Sequence, residues 1–174
     1  MQEAIAASQI PARALTPVCV GDWLLAASGS PRASQREWSQ FGITALPCGG
    51  RFSAVRVPAG IVRAAARVPA NEDAEEAVDE YLATALLGGP AICDRRAQWY
   101  YALVPPEAAR DWVVGAAVCR GRGAFVGVPR PGARREHATR CYWSVPMETP
   151  GQLCNTSAVT QLVHTGRLLE LARG

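Results

Sequence analysis

With 174 residues, 49% of them apolar, the chain can bury a core without disulfide or metal staples and is too apolar to be disordered. Lys and Arg together number 18, every one of them Arg, and against 15 acids they leave a net charge of +3, too small a total to argue for a nucleic-acid partner. No apolar run approaches the ~20 residues of a membrane span. Glu3, Gln9, Pro11 and Arg13 break up the N-terminal stretch that a secretory signal would need, so a cytoplasmic protein is expected.

Residues 1–18 read as a loosely held arm, with Pro11 and Pro17 discouraging a helix, ahead of one domain over 19–174. Asp22 is placed to cap a short helix through Trp23, Leu24 and Leu25. A second helix is predicted over Ala33–Gln40, with Trp38 inward and Gly42 as its stop. Leu46-Pro47-Cys48-Gly49-Gly50 reads as a turn cluster, followed by a strand over Arg51–Val57 that Pro58 ends. Ala59–Arg67 has helical composition. Glu72–Leu87 carries the clearest helical pattern: acids crowd its first turns and Val78, Tyr81, Leu82 and Leu86 form an apolar stripe.

Beyond Gly88-Gly89-Pro90 the pattern turns to strands. Ala91–Cys93 is short, Asp94-Arg95-Arg96 is a turn, and Gln98–Val104 is strongly aromatic, with Trp99 and Tyr101 on one face and Tyr100 on the other. Pro105-Pro106 opens a predicted helix over Glu107–Val114 with Trp112 inward. Val118–Pro131 reads as a β-hairpin whose Gly121 and Gly123 turn is flanked by Arg120 and Arg122. A basic loop from Arg130 to Arg140 leads to a strand over Cys141–Val145, and an amphipathic helix over Ser157–Ala172 ends the chain, offering Val159, Leu162, Val163, Leu168 and Leu169 for docking. The fold class expected is α+β: helices packed on a small, mainly antiparallel sheet.

Charge is unevenly distributed. Seven acids and no arginine lie between Glu72 and Asp94, whereas nine arginines against Glu107, Asp111 and Glu136 lie between Arg95 and Arg140. Arg95, Arg96, Arg120, Arg122, Arg130, Arg134, Arg135 and Arg140 are the candidates for neutralising phosphates, with neighbouring aromatics as stacking surfaces. Other chemistry finds little footing. The six cysteines contain no Cys-x-x-Cys pair and read as buried thiols; His137 and Cys141 lack a second pair for zinc; Gly121-x-Gly123 lacks the third glycine of a dinucleotide fingerprint. Cys48, Asp94 and His137 remain as the elements of a repurposed enzyme, and no cofactor or metal is expected.

The order of blocks suggests a relationship. Leu-Pro-Cys-Gly-Gly with Phe-Ser-Ala-Val-Arg-Val-Pro, then Gly-Gly-Pro-Ala-Ile-Cys-Asp, Tyr-Tyr-Ala-Leu-Val-Pro-Pro, Arg-Gly-Arg-Gly-Ala-Phe-Val-Gly-Val-Pro and Tyr-Trp span Trp38 to Trp143. In that order they resemble the bifunctional primase/polymerase domain of the archaeo-eukaryotic primase superfamily, particularly its small actinobacterial members. The resemblance implies a primase/polymerase-like core whose active members carry an Asp-x-Asp pair, a His and a further Asp, the carboxylates holding divalent metals. Here the pair falls near Arg56 and Pro58, the His at or near Trp99 or Tyr100, and the last Asp near Val118. Arginine and proline do not replace paired carboxylates as metal ligands. The expectation is a catalytically degenerate member with Arg56, Trp99 and Val118 lining the old cleft, binding single-stranded DNA, RNA or a nucleotide. A protein-interaction module, in which the acidic helix and basic hairpin pair with a partner or a second copy, is the alternative.

Overall fold

The computed structural model describes residues 18–69 and 74–173. The predicted arm, Val18 excepted, lies outside the described residues, as do Asn71, Glu72 and Asp73. The architecture is α+β, in the order α1 (Val20–Leu25), α2 (Pro31–Phe41), β1 (Ile43–Pro47), β2 (Ser53–Pro58), α3 (Ala59–Ala65), α4 (Glu75–Ala85), β3 (Ala91–Asp94), β4 (Trp99–Val104), α5 (Ala108–Asp111), β5 (Val118–Arg120), β6 (Phe125–Pro129), a 3-10 turn (Arg135–His137), β7 (Cys141–Val145) and α6 (Thr156–Leu171). A five-stranded antiparallel sheet runs β5-β2-β4-β3-β7, and β1 pairs with β6 in a separate two-stranded sheet.

Strand alternation gives the large sheet two apolar faces. Val55, Val57, Cys93, Tyr100, Ala102 and Tyr142 point to one, where α3, α4 and α6 cover them with Ile61, Val62, Val78, Leu82, Val159 and Leu162. Ala54, Ile92, Leu103 and Trp143 point to the other, covered by Leu24 and Trp38 of α1 and α2 and by Leu46, Val126 and Val128 of the small sheet. Each fully buried aliphatic side chain in these cores stabilises the fold by about 1.5–3 kcal/mol through transfer from water. Both faces being buried explains why β2, β3 and β4 read as apolar runs rather than strict alternation.

Local chemistry fixes the ends of α2 and the start of α6. Pro31 opens α2 at its first turn, and Gly42, in the left-handed region at φ 73°, closes it. The Trp38 indole Nε1 donates to the Val128 carbonyl at 2.9 Å, tying α2 to β6. Asn155 caps α6, its side-chain oxygen accepting from the backbone N–H groups of Ser157 and Ala158.

Several sequence expectations are corrected. The helix at Asp22 begins earlier: Cys19 is the cap, its Sγ accepting from the Asp22 N–H at 3.3 Å, and Asp22 sits in the first turn, where its charge suits the exposed N–H groups. Leu46 and Pro47 are strand rather than turn, because Thr44 and Leu46 both bury against the second core and β6 supplies the ladder. The helix expected over Glu107–Val114 is a single turn, since Trp112 is extended and its indole Nε1 donates to the carbonyls of Val114 and Ala117. Leu168, expected to dock, is 68% exposed.

The largest correction concerns Val118–Pro131. It is not a hairpin: β5 pairs with β2, and β6 pairs with β1. A tight turn does lie between them, with the Ala124 N–H donating to the Gly121 carbonyl at 3.0 Å. The two strands leave it into different sheets because Val126 and Val128 bury under α2, whereas Cys119 packs towards the other core.

Candidate nucleic-acid interface

Register places the candidate residues. Across the large sheet, Val118, Arg56, Tyr101 and Ile92 stand opposite one another in successive strands, and the neighbouring row holds Pro58, Trp99, Asp94 and Cys141. Residues in register share a face, so Arg56, Trp99 and Val118 come together on the second face. Tyr100, the other position considered for the family's histidine, is buried on the opposite one. The Arg56 guanidinium lies 4.5 Å from the centroid of the Trp99 ring, a cation–π stack. Arg120 stands opposite Ala54 on the same face. The Nε atoms of Arg56 and Arg120 are buried without a hydrogen-bond partner. Between them Tyr101 is half-buried; burial pushes its hydroxyl up, Asp94 pushes it further, and Arg56 and Arg120 pull it back.

The eight predicted arginines divide by partner. Arg95 is a structural rivet: it makes hydrogen bonds to Glu75, to the carbonyls of Ala138 and Arg135, and lies over the Tyr142 ring at 4.8 Å. Arg135 sits 3.6 Å from Glu76 and 3.4 Å from Glu136. Arg95 and the Arg135–Glu76 pair join the acidic helix α4 to the basic loop within one chain, while Arg135–Glu136 lies inside the loop. Arg140 holds Asp94 at 3.2 Å, and the other Asp94 oxygen accepts from the Ala97 N–H at 3.0 Å, so Asp94 shapes its turn as the sequence suggests. Arg130, Arg134 and Arg140 line a cavity of about 320 Å³ with His137, against Phe41 at the end of α2. Arg122 lines a different cavity with Arg110 and Gly121, and its backbone would lie 2.5 Å from any Cβ on Gly49, a residue also at φ 86°. Arg96 is exposed in the turn after β3. The candidate arginines thus fall mainly into two patches linked by the Asp94–Arg140 pair, with Arg122 outside both.

Sequence alone does not single out Phe41. Its one signal is an aromatic off the buried face of α2, next to the Gly42 stop, and it is 66% exposed.

The elements of a repurposed enzyme do not assemble. Cys48 is 4% exposed, and burial pushes its thiol up to about 11 despite Arg120, leaving almost no thiolate at neutral pH. Asp94 is engaged by Arg140 and the Ala97 N–H, and His137 lines a cavity that neither Cys48 nor Asp94 reaches. Among the described residues no group of three or more His, Cys, Asp or Glu is placed to hold a metal ion, and no helix is long and apolar enough to cross a membrane.

Asp79 is the titratable group built into the support beneath the loop. Burial pushes it up from 3.8 to about 6, opposed by hydrogen bonds from Ser144 and Tyr142 and by the charge of Arg135, while Glu75 adds to the rise. A carboxyl that is more basic folded than unfolded favours the fold below pH 3.8, and that contribution is lost as pH rises through about 6. Asp79→Asn is therefore expected to gain stability relative to wild type as pH is raised from about 4 to about 7.5, read by urea unfolding at each pH. A difference independent of pH would contradict the assignment.

No protein-family model, curated protein or solved structure matches this chain.

Proposed function

We propose that the chain is a primase/polymerase-like domain without polymerase chemistry, binding single-stranded nucleic acid over the exposed end of the second sheet face. The observation that carries this reading is the Arg56–Trp99 stack, a guanidinium on a flat indole, with Arg120 on the same face one residue pair further along the sheet: both arginines have unpartnered Nε atoms and no ion pair to an acid among the described residues. Phosphate neutralisation and base stacking are the two requirements of sequence-tolerant single-strand binding. Arginine in place of carboxylate turns a cation site into an anion site on the same frame. The positions that the resemblance gives to the family's carboxylates, near Arg56, Pro58 and Val118, occupy adjoining rows of one face, and of the two positions for its His, Trp99 lies on that face and Tyr100 on the other, which supports carrying over the frame and not the chemistry.

The test is fluorescence anisotropy with an internally labelled oligothymidylate across a salt series. Binding is expected at low ionic strength, and its logarithm should fall linearly with log salt. Arg56→Ala with Arg120→Ala should reduce that slope by roughly 1.4, about 0.7 for each phosphate no longer neutralised. Trp99→Ala should weaken binding by about 1–3 kcal/mol, the worth of one stacked base. Absence of binding at the lowest salt, or a double variant indistinguishable from wild type, would overturn the proposal.

A further inference from the structure

The cavity between the end of α2 and the 130–141 loop differs in kind from the sheet patch. Its lining contains three arginines and a histidine, and no acidic side chain. Arg140 is anchored to Asp94 outside the lining, whereas Arg130 and Arg134 form no ion pair among the described residues, Glu136 feeling Arg134 only as a neighbouring charge. At about 320 Å³ it sits at the lower end of small-molecule pockets, too small for a helix or a strand of several nucleotides.

Its frame is fixed by the backbone. The Arg130 N–H donates to the Gly42 carbonyl at 2.9 Å, and the Arg130 carbonyl accepts from the Trp143 indole at 3.2 Å and from the Ala133 N–H at 3.1 Å. The Trp143 N–H donates to the Ala133 carbonyl at 3.1 Å, and Gly132 makes the bend at φ 80°. The cationic side chains therefore hang from a pinned loop, which lowers the entropy lost when they close on an anion. Opposite them Phe41 presents an exposed ring.

We infer that this cavity seats a single phosphomonoester bearing a flat ring: a nucleoside monophosphate, free or as the phosphorylated end of a strand. The inference shares only the ligand class with single-strand binding on the sheet face. Two features select a monoester over an internal phosphodiester. A monoester carries close to two negative charges at neutral pH, its second pKa being about 6, and it has three terminal oxygens for several donors. An internal diester carries one charge and must bring two chain directions through a pocket sized for one nucleotide. Phe41 takes the base and the loop takes the phosphate.

The experiment uses the full chain and three oligothymidylates labelled on an internal base, carrying a phosphate at the 5′ end, at the 3′ end, or at neither, followed by anisotropy at fixed salt. Calorimetry with AMP, adenosine and inorganic phosphate runs alongside. One phosphorylated strand is expected to bind about tenfold tighter than the unphosphorylated one, or AMP to bind where adenosine does not; the first outcome marks a strand end as the source and the second a free nucleotide. Arg134→Ala should abolish the preference, and Phe41→Ala should weaken AMP while leaving inorganic phosphate unchanged. Both residues are exposed, so neither change disturbs a core. Arg167→Ala, on α6 across the sheet, controls for loss of charge. Equal binding of all three strands with no AMP heat overturns this inference and leaves the single-strand reading intact. AMP binding without any strand binding upholds the cavity and overturns that reading. Loss of the preference in Arg167→Ala as large as in Arg134→Ala overturns the inference as well.

Discussion

Trp143→Ala is expected to destabilise the fold by about 3–5 kcal/mol in urea unfolding, the range for deleting a large buried aromatic. Trp143 is 7% exposed, stands in the second core beside Ile92 and Val128, and is the clamp that holds Arg130 to Ala133. The truncation removes transfer energy, leaves a cavity, and takes away the indole donor. Trp143→Phe separates these effects. It keeps most of the volume and loses the hydrogen bond, for which about 1 kcal/mol is expected because the Arg130 carbonyl retains the Ala133 N–H. Hydrogen exchange of amides 130–140 should quicken in Trp143→Phe beyond what its global stability accounts for. A cost below about 1 kcal/mol for Trp143→Ala would show that the ring is not part of the core.

The second large effect is expected at Gly166. On most helix interiors Gly→Ala stabilises by up to about 1 kcal/mol. Here a Cβ would lie 2.2 Å from the Ile61 carbonyl oxygen and 2.6 Å from its Cγ2, so α6 crosses α3 in direct backbone contact. The carbonyl belongs to a helix and cannot swing aside. Gly166→Ala is expected to lose about 1–3 kcal/mol net, the cost of overpacking, and Gly166→Leu more. Because Pro58 joins β2 directly to α3, displacing α3 also pulls on the strand that carries Arg56. The variant should therefore lose oligonucleotide affinity although Gly166 lies on the far side of the sheet. Unfolding midpoints and anisotropy on the same samples check both parts, and a stabilised Gly166→Ala would refute the contact.

How much of this is legible in the sequence depends on whether the deciding interaction is local. The stop at Gly42, the strand at Cys141–Val145, the stripe of Val78, Leu82 and Leu86, and the division of Trp99 and Tyr101 from Tyr100 are set by neighbours in the chain, and all are readable. β1 escapes a sequence reading because Pro47 and the glycines behind it outweigh a short Thr44/Leu46 alternation; Pro47 is tolerated at the last position of an edge strand. The hairpin expectation fails because apolar strand, glycine turn, apolar strand describes any sharp reversal, and nothing within it names the partners, which lie far back in β1 and β2. Among the arginines, sequence counts charge but not company. Whether Arg95 is a rivet and Arg135 reaches α4 depends on where Glu75 and Glu76 fall in space.

The parting of β5 and β6 bears on the order in which the chain can fold. Ile43 pairs with Pro129, so the two-stranded sheet closes a loop containing most of the larger one. A lone two-stranded ladder is at best marginal in water, and the entropy of closing so long a loop falls on it as well. The ladder gains a partner surface only once Ala54, Ile92 and Leu103 are already assembled into the face it covers. The small sheet is thus a late element, and so is the wall of the basic cavity formed by α2 and the start of β1.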